Sequence, residues 1–237
     1  LRSDTVRLHY IQHVPYENAG TIEAWAKKNG HTLTKTVLYY DEAFPDMGRF
    51  DWLIVMGGPM NVYEEKDYPF LAREKKFIAD AIANKKRVLG VCLGAQLISD
   101  VLGGKVTKGP QKEIGWHKVV LTPEAKKSPV FGRLPPGFIA FHWHGDTFTI
   151  PAGAKLMASS EAYEDQAFEY DGGRVIGLQF HLELTDEGIN RLAKNNSDDL
   201  APGKYVQKKD DFLHKDAELK ENYQLLSALL DGIAKVK

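Results

Sequence analysis

Cys92 is the only cysteine in the 237 residues, and it lies in Gly90-Val91-Cys92-Leu93-Gly94-Ala95-Gln96. The apolar run Val88 to Val91 reads as a buried strand, and Leu93, Leu97, Ile98, Val101 and Leu102 follow at helical spacing. The thiol therefore falls on a sharp strand-to-helix turn. This is the pattern of a nucleophile elbow, G-x-nucleophile-x-G, with sulfur in place of oxygen. Glycine on each side lets strand and helix pack closely with no Cβ atoms between them. The helix N-terminus presents its positive dipole end to the sulfur and stabilises the thiolate, the reactive form. A lone cysteine is also commonly one more small buried apolar residue. The flanking glycines favour the nucleophile.

Two further stretches complement a nucleophile. In Gln179-Phe180-His181-Leu182-Glu183 the imidazole and carboxylate are two residues apart, so on an extended segment they project to one side. A carboxylate there can fix the tautomer and leave the other ring nitrogen facing a nucleophile; a surface histidine next to an unrelated glutamate gives the same pattern. Gly57-Gly58-Pro59 follows the apolar run Trp52 to Met56, and backbone N–H groups bare of side chains at a strand's C-terminal end can hold a developing oxyanion. Taken alone, that tripeptide reads better as an ordinary strand-to-loop turn. His142 and His144 could share one side of a segment and so a metal ion, but no third and fourth ligand stand at recognisable spacing. They read as hydrogen-bonded histidines at a loop rim, and neither a metal nor a cofactor is expected.

The elements that must position these groups follow from periodicity and turn residues. Val6 to Gln12 reads as a strand, Thr21 to Asn29 as a helix stopped by Gly30, and Thr32 to Tyr40 as a second strand, the opening of a parallel sheet. Trp52 to Met56 is apolar throughout, as a strand covered on both faces should be. Phe70 to Asn84 reads as a helix. Lys105 to Thr122 reads as short strands interrupted at Gly109-Pro110 and at Glu113-Ile114-Gly115-Trp116, and Pro123 to Pro136 as linkage before a strand beginning at Phe138. Gln166 to Tyr170 and Arg174 to Phe180 form a hairpin around Asp171-Gly172-Gly173. Thr185 N-caps a helix to Ala193. The polar run from Asn195 to Asp211 reads as a linker or mobile surface loop, and Phe212 to Val236 as a closing helix. The expected organisation is one domain over 1–197, with 198–237 a linker and C-terminal helix packed on it.

Composition narrows the function further. With 31 basic and 32 acidic residues the formal net charge is −1, so no electrostatic case arises for nucleic acid or an acidic membrane surface. A single cysteine forbids an internal disulfide and fits a reducing cytoplasm. Leu1-Arg2-Ser3-Asp4 lacks an apolar signal core, and no apolar run is long enough to span a bilayer.

In order and spacing, Gly57-Gly58-Pro59, the C-x-G-x-Q elbow at Cys92 and the H-x-E pair at His181 and Glu183 resemble the class I (triad-type) glutamine amidotransferases. The likeness is strongest to stand-alone relatives of the GMP synthase amidotransferase domain, and it covers roughly Val6 to Ala193. The resemblance implies an α/β fold, a flavodoxin-like three-layer arrangement in which a mostly parallel twisted sheet has helices on both faces. It implies Cys92 as nucleophile, His181 as general base and then acid, and Glu183 as the residue orienting His181. It puts the oxyanion hole at the backbone N–H groups of Gly58 and Leu93, and substrate contacts at Gly57, Gln96, Gly115 and Trp116. The implied substrate is glutamine or another γ-glutamyl small molecule, and the implied partner is a synthase subunit that accepts ammonia, since no synthase domain follows in the chain.

The sequence departs from the family pattern at His142-Trp143-His144-Gly145-Asp146, where the residues before a histidine-glycine-aspartate segment are bulkier. Two other functions use the same residues: a γ-glutamyl peptidase acting on glutathione-like compounds, and a non-catalytic scaffold that binds a partner. The scaffold requires a broken site, and no triad member is missing. A related group of peptidases and chaperones has histidine directly after the elbow cysteine; here Leu93 stands there.

Overall fold

The computed structural model describes residues 5–236, so the reading of residues 1–4 lies outside it. The chain opens with β1 (Arg7–Gln12), α1 (Thr21–Lys28) and β2 (Thr32–Val37). β3 (Trp52–Val55), α2 (Phe70–Ala83), β4 (Arg87–Val91) and α3 (Leu93–Val101) follow. Next come β5 (Val106–Leu121), β6 (Gly137–Phe148), β7 (Lys155–Ser160), β8 (Ala167–Tyr170) and β9 (Val175–Leu178). The chain then runs through α4 (Asp186–Asn195), β10 (Tyr205–Val206), α5 (Lys209–Phe212) and α6 (Asp216–Lys235).

All strands join one twisted sheet in the order β10-β5-β7-β8-β9-β4-β3-β1-β2, with β6 paired to β5. The run β9-β4-β3-β1-β2 is parallel, and β8, β7, β5 and β6 extend it antiparallel. Alternation along the parallel strands splits the core in two. Leu8, Tyr10, Trp52, Ile54, Leu89 and Val91 meet α1 and α6 on one face. Ile11, Leu53, Val55 and Val88 meet α2 and α3 on the other. Burial of each large aliphatic side chain contributes about 1.5–3 kcal/mol, so both faces need their helices. At the end of the sheet, Ile114, Trp116, Phe141 and Trp143 of the β5–β6 ribbon pack against Ile189 and Leu192 of α4 and against Phe212. Among the described residues no helix is long and apolar enough to cross a membrane.

Four local expectations are corrected. β2 ends at Val37 rather than Tyr40, because Leu38–Tyr40 coil into a 3₁₀ turn closed by Asp41 at φ 52°. β5 is one long strand. Gly109-Pro110 sits where its register against β6 shifts between Lys108 and Glu113, a bulge that tolerates the missing proline N–H. Gly115 carries φ 111° without ending the strand. The segment from Asn195 to Asp211 is docked: Tyr205 is buried, β10 pairs in parallel with β5, and the Gln207 amide holds both N–H and C=O of Trp116 at 2.9 and 2.8 Å. A polar stretch needs only a few apolar anchors to dock, and composition averaged over the stretch hides them. The closing helix starts at Asp216, after α5 has already buried Phe212.

α6 is tied to the strand that precedes the elbow. The Arg87 guanidinium donates to the carbonyls of Ile233, Ala234 and Val236, satisfying the orphan end of the helix.

Candidate active site

The elbow is built by contact. A Cβ on Gly94 would lie 2.0 Å from the Val55 carbonyl oxygen, and one on Gly90 would lie 2.5 Å from Gly94 backbone carbon. Cys92 itself takes the rare backbone geometry, φ 52° and ψ −110°. Its N–H is held by the Leu178 carbonyl at 2.8 Å and its carbonyl starts α3, accepting from Ala95 and Gln96. The cysteine is 7% exposed. Its S–H donates to the Trp143 carbonyl and the Gln179 amide donates to the sulfur, both at 3.6 Å.

β9 runs beside β4 and delivers His181 just past its end. A bridge of two backbone hydrogen bonds to Phe141 of β6 fixes the His181 main chain, at 2.8 and 3.4 Å. Nδ1 of His181 donates to Glu183 Oε1 at 2.7 Å, and the other carboxylate oxygen accepts from the Leu182 N–H at 3.1 Å. Burial opposes a charged imidazole, but the Glu183 charge and hydrogen bonds to Cys92 and Glu183 raise His181 well above the ordinary histidine value. The thiol and the imidazole, almost ninety residues apart in the chain, meet across one cavity.

Gly57 and Gly58 are oriented from behind. His13, fully buried, donates from Nδ1 to the Gly57 carbonyl at 3.0 Å and from Nε2 to Glu74 of α2 at 2.9 Å. Both ring nitrogens face acceptors, so both carry hydrogens. Burial works against that cation, and the Glu74 charge and hydrogen bond outweigh burial and raise its pKa. In a trans peptide the C=O and N–H point in opposite directions. Holding the Gly57 oxygen from one side therefore turns the Gly58 N–H to the other, where Gly58 lines the cavity. A Cβ on Gly58 would lie 3.1 Å from the Leu93 side chain, which puts the two residues side by side.

The cavity has a volume of about 340 Å³ and is lined by Cys92, His181, Gly58 and Gln96 together with Glu17 and Asp146. The Gln96 amide donates to Gln179 at 3.1 Å and to the Asp146 carbonyl at 3.3 Å, so it is braced within the wall. Gly57, Gly115 and Trp116 stand outside the lining. Gly57 backs the His181 ring, while Trp116 points its indole N–H to the Phe212 carbonyl and Ile114 reaches the cavity instead. Trp116 shares the β5 face of Ile114 and is drawn off the cavity into the cluster with Phe141 and Phe212.

Sequence reasoning missed Glu17, His13 and Gln179. Glu17 is buried beside His181; burial raises its carboxyl to about 7, with the Glu183 charge adding to the effect and His181 and His13 opposing it. A single glutamate in the loop after β1 carries no local signal. Gln179 did carry one, standing two residues before His181 and so on the same side of an extended segment.

The His142 and His144 reading is also corrected. Both lie inside β6 rather than on a loop rim, and both are buried. Glu113 of β5 is the register partner of His144 and brings a carboxylate to both rings. The third group was invisible because the pairing of β5 and β6 supplies it across about thirty residues.

Comparison with known proteins agrees with the geometry. Residues 21–196 match the family model described as glutamine amidotransferase class-I. The chain is similar to the glutamine amidotransferase-like protein YfeJ of Salmonella typhimurium, 32% identical over 230 residues that cover 95% of this chain and 94% of that one. It is 33% identical to a subunit of the glutamine-hydrolysing GMP synthase of Sulfolobus acidocaldarius, over 63% of this chain and 77% of that protein. A glutamine amidotransferase crystal structure from Thermotoga maritima superposes with a TM-score of 0.87 at 30% identity, covering 98% of this chain and 99% of that one.

Proposed function

The chain belongs to the class-I glutamine amidotransferases, and from that premise we propose that it hydrolyses the side-chain amide of glutamine through Cys92, His181 and Glu183. The Cys92 proton passes to His181 and the sulfur attacks the amide carbon. Backbone N–H groups of Gly58 and Leu93 receive the oxyanion, the first aimed by the His13 contact and the second free at the start of α3. Loss of one such donor typically costs about 10²–10³ in rate. His181 then protonates the leaving nitrogen and ammonia departs from a glutamyl thioester. Water, deprotonated by the same ring, releases glutamate. Glu183 keeps the ring in the tautomer these transfers need. Glu17 and Gln96 contact the bound amino acid.

The observation that carries this reading is that Cys92 and His181 line one cavity, with the Gln179 amide on the sulfur and the Glu183 carboxylate on the imidazole. A glutamine-hydrolysing subunit of a GMP synthase among the similar proteins supports a separate synthase partner that takes up the ammonia. The test is release of glutamate and ammonia by the purified chain, with glutamine compared against glutathione. Cys92→Ala abolishes release and leaves the circular dichroism spectrum unchanged. Turnover that survives in that variant ends the mechanism, and a preference for glutathione moves the substrate to γ-glutamyl peptides.

A further inference from the structure

We propose that Glu113, His142 and His144 form a binding site for a divalent d-block cation of the zinc class, set in the wall behind the active-site cavity. The three side chains are buried, and one ligand atom from each lies within 4.8 Å of the others. Glu113 faces His144 directly across the β5–β6 ladder, and His142 is two residues along on the same face. Oε2 of Glu113 is 3.2 Å from His142 Nδ1 and 3.0 Å from His144 Nε2. Ligands about 2.0–2.1 Å from a tetrahedral ion stand roughly 3.3 Å from one another, so small shifts would admit the ion.

Counting hydrogens gives the stronger argument. Nδ1 of His144 faces the Asp146 carbonyl at 3.0 Å, and a carbonyl only accepts, so that nitrogen carries the hydrogen. The neutral ring then turns the lone pair of Nε2 onto the Glu113 carboxylate, and either a proton or a metal ion must lie between them. An N–H given to a backbone carbonyl is also how metal-binding histidines are commonly oriented. His142 favours the metal ion. Neither of its ring nitrogens has a hydrogen-bond partner among the described residues, although Nδ1 stands beside the carboxylate. Oε1 of Glu113 and Oε1 of Gln166 are likewise buried without partners, while the Gln166 amide nitrogen sits 2.6 Å from Glu113 Oε2. Atoms of this kind are costly to leave unpaired in an interior, and here they gather around one carboxylate. Two imidazoles and a carboxylate suit zinc, cobalt or nickel better than magnesium or calcium. The ion would pin β5 to β6 where Ile114 and His144 line the cavity.

The test is a Co²⁺ titration of the tag-free, chelator-stripped chain, read by visible absorption and by melting temperature, alongside the zinc content of the chain as purified. The expected result is about one ion per chain, with d–d absorption bands and a melting temperature raised by roughly 5 °C with excess ion. Cys92→Ala retains the bands, which separates this site from the thiol. Glu113→Gln and His142→Phe each lose them; the unmodified chain carries the test if either fails to fold. No bands and no thermal shift in the unmodified chain, or bands that vanish with Cys92→Ala and persist in Glu113→Gln, overturn the proposal and leave a proton between Glu113 and His144.

Discussion

Glu17 shows how the interior sets a protonation state. Its carboxyl is raised by burial to about 7 from an ordinary value of 4.5. Between those two pH values the native state holds a proton that the unfolded state has released. Stability therefore falls as pH rises through that window, and the loss persists above it. Glu17→Gln keeps the shape and removes the ionisation. The variant should nearly match the parent chain in urea unfolding at pH 4 and exceed it at pH 8 by up to about 3 kcal/mol; an equal gap at both pH values refutes this. At this scale the elbow around Cys92 and the His181–Glu183 contact were legible in the sequence because their spacings are local: two glycines around a cysteine, and a carboxylate two residues from an imidazole. Glu17, His13 and Glu113 were not, because each meets its partner only through strand pairing or a loop crossing.

Among the elements, the turn between β4 and α3 is the most constrained. The Gly94 Cβ position falls 2.0 Å from a backbone oxygen of β3, an atom that cannot move without the sheet. Gly94→Ala should cost about 3 kcal/mol, the upper part of the overpacking range, and should lower turnover as the elbow shifts. Gly48→Ala is the control, since nothing lies within 4 Å of the added methyl. Thermal melts of the two variants check this, and equal melting temperatures contradict it. Apolar periodicity was enough to locate this strand and helix. It fails at β5, where glycine and proline read as breaks but a register shift absorbs them, and after Asn195, where Tyr205 and Phe212 anchor an otherwise polar stretch.

On the scale of the whole molecule, the expected sheet with helices on both faces holds because its central strands are apolar on both sides. The closing helix is part of that core: Leu225, Leu226, Leu229, Leu230 and Ile233 are all buried. Together they contribute roughly 10 kcal/mol, comparable to the entire stability of a typical domain. A chain ended after Lys215 should therefore run as aggregate in size-exclusion chromatography, and a monodisperse peak with an unchanged melt would speak against this. The position of β9 has a consequence for how the chain is made. It lies between β4 and β8, so the strand that leads into Cys92 keeps an open edge until residues beyond Val175 have been synthesised. While the ribosome is still translating that region, the cysteine has neither its neighbouring strand nor its imidazole. A nascent chain interrupted there holds an idle sulfur, and the proposed hydrolysis becomes possible only when the late strand slots into the middle of the sheet.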